Sequence, residues 1–153
     1  MRTGGTVIGP ETKTEKNVKQ AVPFFGVTDM QASLRFYQDG LGFTMKYQWI
    51  DEGKLRWCWL ELGDAALMLQ EFRKGSGELY MSGAEGKLGT GVSICFMCED
   101  AIAIFREVTA RGIEARRPFV GNRLWVTGVV DPDGYKLFFE SPTDAPEESV
   151  WNE

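Results

Sequence analysis

Histidine is absent from this 153-residue chain. That removes the commonest general base, the usual activator of serine and cysteine nucleophiles, and every imidazole metal ligand. Cysteine is scarce. Cys58, Cys95 and Cys98 are too few and too scattered for a disulfide framework. Cys95 and Cys98 have CxxC spacing, but the run around them reads as a strand, where positions three apart face opposite ways. Neither a redox pair nor a zinc site is expected there. Positive charge is in deficit: 17 Lys and Arg against 22 Asp and Glu give a net charge of −5. Such a balance excludes the basic face that nucleic acid requires and would suit a cationic small molecule. No apolar run approaches a membrane span, and the N-terminus lacks the apolar core of a signal peptide. A reduced, cytoplasmic protein with neither nucleic-acid nor membrane partners is expected.

What the chain does have is one plan written twice. AVPFFGVTD ends at Asp29 and TGVSICFMCED ends at Asp100, 71 positions later. Each aspartate stands where a helix N-cap belongs, before MQASLRFYQDGLGF or AIAIFREVTARGIE. In the first of these, Met30, Leu34, Tyr37 and Leu41 form one apolar stripe, and Gly40 and Gly42 end the helix. Strands are expected at 22–27, 43–49, 55–62 and 65–71, with Asp51-Glu52-Gly53 as a hairpin turn. The second half repeats the order: a strand over 90–98, a helix to about Arg111, then strands over 113–120, 124–130 and 135–140. Asp131-Pro132-Asp133-Gly134 is a turn, with proline fixing one corner and glycine accepting positive φ at another. The expected organisation is a flexible arm (1–20), a first βαβββ module (21–71), a Gly-rich linker (72–89), a second module (90–142) and an acidic, solvated tail (143–153). The fold class is α+β, two tandem βαβββ modules forming paired sheets around a cavity.

The phrases VTDMQASLRFYQDGLGF, LELGDAALMLQEF and VVDPDGYKLFFESP resemble the vicinal oxygen chelate superfamily, the glyoxalase, bleomycin-resistance and extradiol dioxygenase group. The resemblance covers about residues 21–142 and implies paired modules in a homodimer. Metal enzymes of that group place ligands at four equivalent points, which fall here on Val22, Met68, Ser93 and Phe138. None is a good ligand for a divalent metal, so no metal and no cofactor is expected. Glu71 and Glu140 end the two closing strands. Parity puts Glu140 on the same strand face as Phe138 and turns Glu71 away from Met68, and both read first as solvated strand-end acids.

Without a metal, the inward faces still line a pocket. Strand parity nominates Phe24, Met68, Gln70, Ser93, Cys95, Phe138 and Glu140, with Ala66, Met97 and Lys136 nearby. Trp57, Trp59, Trp125 and Trp49 add flat aromatic area for stacking on rings or cations. Arg123 stands, with Asn122, where bleomycin-binding relatives carry a Trp-Gly pair. An arginine there would favour an anionic or carbonyl-bearing ligand. Cys95 and Glu140 are the candidates for any catalysis, as nucleophile and base, but no histidine can activate the thiol. The leading expectation is a metal-free binder of a cationic or aromatic small molecule, of the bleomycin-resistance type, acting by antibiotic sequestration. One alternative is a metal-independent lyase or isomerase using Glu140. The other is a dimeric interaction domain with a closed cavity.

Overall fold

The computed structural model describes residues 13–72 and 87–153. Expectations for residues 1–12 and for most of the linker, 73–86, lie outside the described residues. A short helix, α1 (Lys13–Asn17), buries none of its side chains.

The first module contains β1 (Phe24–Val27), α2 (Met30–Leu34) with a wider π-helical turn (Arg35–Gly40), β2 (Thr44–Asp51), β3 (Lys54–Leu62) and β4 (Ala65–Glu71). The second contains β5 (Ser93–Met97), α3 (Ala101–Ala110), β6 (Phe119–Gly121), β7 (Leu124–Val130) and β8 (Lys136–Pro142). The sheet orders are β1-β4-β3-β2 and β5-β8-β7-β6, so the duplication in sequence is a duplication in topology. In each sheet the first strand runs parallel to the last, and the other neighbours are antiparallel.

Local chemistry explains the element boundaries. Asp29 accepts from the Ala32 amide at 3.1 Å, and Asp100 from the Ala103 amide at 3.0 Å, so both aspartates cap their helices. Glu52 (φ 51°) and Gly53 (φ 73°) make the first hairpin with left-handed backbone at both positions, the arrangement that matches strand twist. Gly134 (φ 101°) closes the Asp131 turn, donating its amide to the Asp131 carbonyl at 3.0 Å.

Three sequence expectations are revised. The helix after Asp29 does not stay α-helical: Leu41 donates to the Phe36 carbonyl at 2.9 Å, a five-residue reach that widens the last turn. The widening seats Gly40 against Ile113 of the second module, where a Cβ would overlap the isoleucine side chain. Second, residues 113–118 do not form a regular strand. Only an isolated bridge, Ala115 to Val129, precedes β6, and Pro118 has no amide to give a ladder. Third, the acids of 143–153 (Asp144, Glu147, Glu148 and Glu153) are exposed as expected, yet the segment that carries them is docked. Val120 donates to the Ser149 carbonyl and Trp151 to the Pro118 carbonyl, both at 2.9 Å, while Arg106 pairs with Glu153 at 2.7 Å.

One core serves both modules. It lies on the helix-covered side of the sheets: Phe25, Cys58, Leu60, Leu67 and Leu69 from the first, Phe96, Leu137 and Phe139 from the second. Phe96 stacks on Phe139 (centroids 5.1 Å apart) and meets Phe43 edge-on at 6.1 Å. Polar ties reinforce the seam. Tyr37 donates its hydroxyl to Asp131 at 2.8 Å, Thr28 to Asp133 at 2.6 Å and Tyr135 to the Gly26 carbonyl at 2.9 Å. The Tyr135 ring stacks on Phe25 at 4.2 Å.

Candidate functional site

Because helices and the partner module cover one face of each sheet, the other face of each is left open. Register decides what stands on it, since residues directly paired across strands point the same way. In the first sheet, Phe24 pairs with Met68, Met68 with Trp59 and Trp59 with Tyr47. The next row runs Gly26, Gln70, Trp57 and Trp49. These two rows cross all four strands and form an aromatic wall. Tyr47 meets Trp59 edge-on at 6.1 Å, and the Trp59 indole donates to Glu61 at 3.1 Å. Phe24, Tyr47 and Trp49 remain 40%, 54% and 47% exposed, so nothing among the described residues covers this wall fully.

The open face of the second sheet carries Ser93 beside Lys136 and Val130, then Cys95 beside Phe138 and Gly128, then Met97 beside Glu140 and Val126. The Phe138 ring lies across Gly128, where an added Cβ would come within 3.1 Å of it. Partial burial, together with the charge and hydrogen-bonding pull of the Glu140 carboxylate, holds the Cys95 thiol above its usual range. A raised thiol is a poor nucleophile at neutral pH, so this pair does not make an activated cysteine.

Nine of the nominated residues therefore stand on open faces: Phe24, Trp57, Trp59, Met68 and Gln70 on the first, Ser93, Cys95, Phe138 and Glu140 on the second. Two do not join them. Trp125 pairs with Ser141 and Val120, on the helix-covered face, and packs edge-on against Trp151 at 5.9 Å. Arg123 occupies the β6–β7 hairpin turn with φ 64°, beside Asn122 at φ 53°. Its amide is held by Glu147 at 3.2 Å, in the docked C-terminal segment.

Glu71 is corrected more sharply. It is 8% exposed and belongs to the helix-covered face. It accepts the first amide of α2, Met30, at 2.8 Å and pairs with Lys54 at 2.5 Å and Arg56 at 3.9 Å. Burial pushes its carboxyl up, but the Lys54 and Met30 hydrogen bonds and the two cationic charges outweigh that and leave it below its usual range. Ser141 plays the same part in the second module, accepting the Ala101 amide at 2.8 Å.

The family positions for metal ligands do not fit a metal. Met68 and Phe138 lie among apolar neighbours, and no three His, Cys, Asp or Glu side chains come together among the described residues. Three cavities stand out among the described residues, and none of the three is lined by both open faces. A cavity of about 500 Å³ lies on the second sheet, between Arg116, Lys136 and Phe138. One of about 700 Å³ lies beside Lys54, Arg56 and Glu71. One of about 490 Å³ lies between Phe24 and Val92. No helix among the described residues is long and apolar enough to cross a membrane.

Sequence reasoning missed Arg116 and Phe119. Arg116 lies outside a regular strand, where parity has no meaning. A pattern of Arg three before an aromatic was the only signal available.

Solved structures share this architecture. TioX from Micromonospora sp. ML1 superposes with a TM-score of 0.65 at 20% identity, covering 82% of this chain and 99% of that one. A bleomycin-binding protein complexed with bleomycin gives 0.60 at 22% identity, covering 81% and 98%. TnmS3, an antibiotic-binding protein from Streptomyces sp. CB03234, gives 0.58 at 17% identity, covering 82% and 98%. No functionally curated protein matches the chain. The profile of one family matches residues 19–139, most of the chain. The duplicated βαβββ modules, the two caps and the matched span together place this chain in the Glyoxalase/Bleomycin resistance protein/Dioxygenase superfamily.

Proposed function

We propose that this chain is a metal-independent small-molecule binding protein that works by sequestration, as a homodimer. The observation that carries the reading is the aromatic wall of Trp59, Tyr47, Trp57 and Trp49 on a sheet face that no element among the described residues covers. Exposed aromatic area of this extent marks a surface that meets a ligand or a partner. The helix-covered faces already share one core, so the two open faces cannot close on each other within the chain. A second copy would set the first-sheet face of one protomer against the second-sheet face of the other, giving two equivalent aromatic clefts. Catalysis is not favoured. Partial burial and the Glu140 carboxylate raise the Cys95 thiol above its usual range, and the family's metal positions carry Val22, Met68, Ser93 and Phe138. The bleomycin-binding protein and TnmS3, an antibiotic-binding protein, support an antibiotic as the ligand class, and the aromatic wall suits one with planar rings.

The test is a titration of the purified protein with bleomycin-type glycopeptides, read by tryptophan fluorescence with and without EDTA, alongside sedimentation to fix the oligomeric state. Saturable quenching that EDTA leaves unchanged, at one ligand per chain in a dimer, is the expected result. Trp59→Ala and Trp57→Ala should weaken it while circular dichroism stays constant. A monomer at binding concentrations, or affinity unchanged in both variants, would remove the shared-cleft reading.

A further inference from the structure

The chain is acidic overall, which suggests a cationic ligand, but the lining of the cavity on the second sheet has the opposite sign. Its cavity of about 500 Å³ is lined by Arg116, Lys136, Glu114 and Phe138, two cations against one carboxylate. The Arg116 guanidinium carbon lies over the Phe119 ring, 4.7 Å from its centroid. Such a cation–π contact does not occupy the N–H fork with a hydrogen-bond acceptor. Among the described residues neither the Arg116 side chain nor the Lys136 ammonium has a hydrogen-bond or ion-pair partner. The contrast with nearby cations is clear: Lys54 and Arg56 are committed to Glu71, Arg106 to Glu153, and Arg117 to Asn152 and the Trp151 carbonyl. Arg116 is also fixed in place. Its amide donates to the Gly128 carbonyl at 2.9 Å, and its Cβ stands beside the Gly128 position over which Phe138 lies. A ring floor, a rigid fork and a second ammonium thus border one concave space.

We infer that this face receives the acid group of an aromatic ligand, a carboxylate held by the Arg116 fork and the Lys136 ammonium with the attached ring on Phe138. The inference rests on the reading of the open faces as ligand walls and adds the sign of the ligand's charge. A guanidinium edge matches the two oxygens of a carboxylate, and Phe138 offers a flat apolar surface within the same cavity.

Matched probes test it. The full-length protein is titrated, by ligand-observed NMR, with 2-naphthoate, neutral 2-naphthamide and 2-naphthylmethylammonium. The acid should bind roughly tenfold or more tightly than the amide, the ammonium should bind most weakly, and added salt should narrow the gap. Arg116→Gln should erase the preference for the acid while changing amide affinity by less than about twofold, and Lys136→Gln should reduce it in part. Equal binding of acid and amide to the unsubstituted protein overturns the inference and leaves the aromatic reading standing. A preference intact in both variants also overturns it. If no probe binds, the inference falls together with the reading beneath it.

Discussion

Tyr37→Phe probes the joint between the modules. The Tyr37 hydroxyl donates to Asp131 at 2.8 Å, both residues are buried, and Asp131 is 4% exposed. The other Asp131 oxygen accepts the Asp133 and Tyr135 amides, each at 2.9 Å. Deleting one hydroxyl leaves a buried carboxylate oxygen bare, which costs about 1–3 kcal/mol. At roughly 2–4 °C per kcal/mol for a chain of this size, the midpoint of thermal unfolding should fall by about 4–8 °C for a loss near 2 kcal/mol. The loss should also depend on pH. Burial pushes the Asp131 carboxyl above its ordinary range, against the pull of the Tyr135 amide and the Tyr37 hydroxyl. A group whose folded pKa is raised contributes most below its unfolded value and loses that contribution as pH rises through the folded value. Without Tyr37 the carboxyl moves higher still. The gap between wild type and variant should therefore be small in acid, open as pH rises through the carboxyl range, and level off near neutrality. Urea melts at several pH values measure it. A gap that is constant with pH, or a midpoint shift under about 1 °C, would refute the buried charge-assisted bond.

Glu71→Ala should cost about 1–3 kcal/mol by stripping the Met30 amide and stranding Lys54 and Arg56. Because the Glu71 carboxyl lies below its ordinary range, wild type should lose this contribution as pH falls through the folded value, and the variant should show a flatter acid limb in denaturant melts. Gly40→Ala puts a methyl into Ile113 and should destabilise by about 1–3 kcal/mol, read as a lower urea midpoint at unchanged slope. Trp125→Ala should lower stability by up to about 3 kcal/mol through its lost packing on Trp151, yet leave ligand affinity within about twofold, the reverse of Trp59→Ala.

Much of the fold was legible because its signals are local. Asp29 and Asp100 announce their helices, the Asp131–Gly134 phrase announces its turn, and the 71-residue offset announces the duplication. Parity carried the site part of the way: alternation within β3 puts Trp57 and Trp59 on one face, and alternation within β8 groups Phe138 with Glu140. It failed where face assignment needs register between strands. Trp125 is an attractive strand aromatic, but only its pairing with Ser141 reveals that it looks toward α3. The irregularities between Met45 and Tyr47 and between Trp49 and Ile50 shift β2 against β3, so the Tyr47–Trp59 contact has no reading in either segment alone. Glu71 looked solvated because its burial comes from α2 and from Lys54, on other parts of the chain.

The placement of the seam has an evolutionary corollary. Tyr37, Asp131, Thr28, Asp133, Tyr135 and Phe25 fasten the two halves from behind, on the side away from the aromatic wall. Side chains such as Tyr47, Trp49 and Met97 carry little of the duty of keeping the molecule folded. Mutation can therefore rewrite the wall residue by residue while the scaffold stays above its stability threshold. One frame can in this way be refitted to new molecules without being rebuilt.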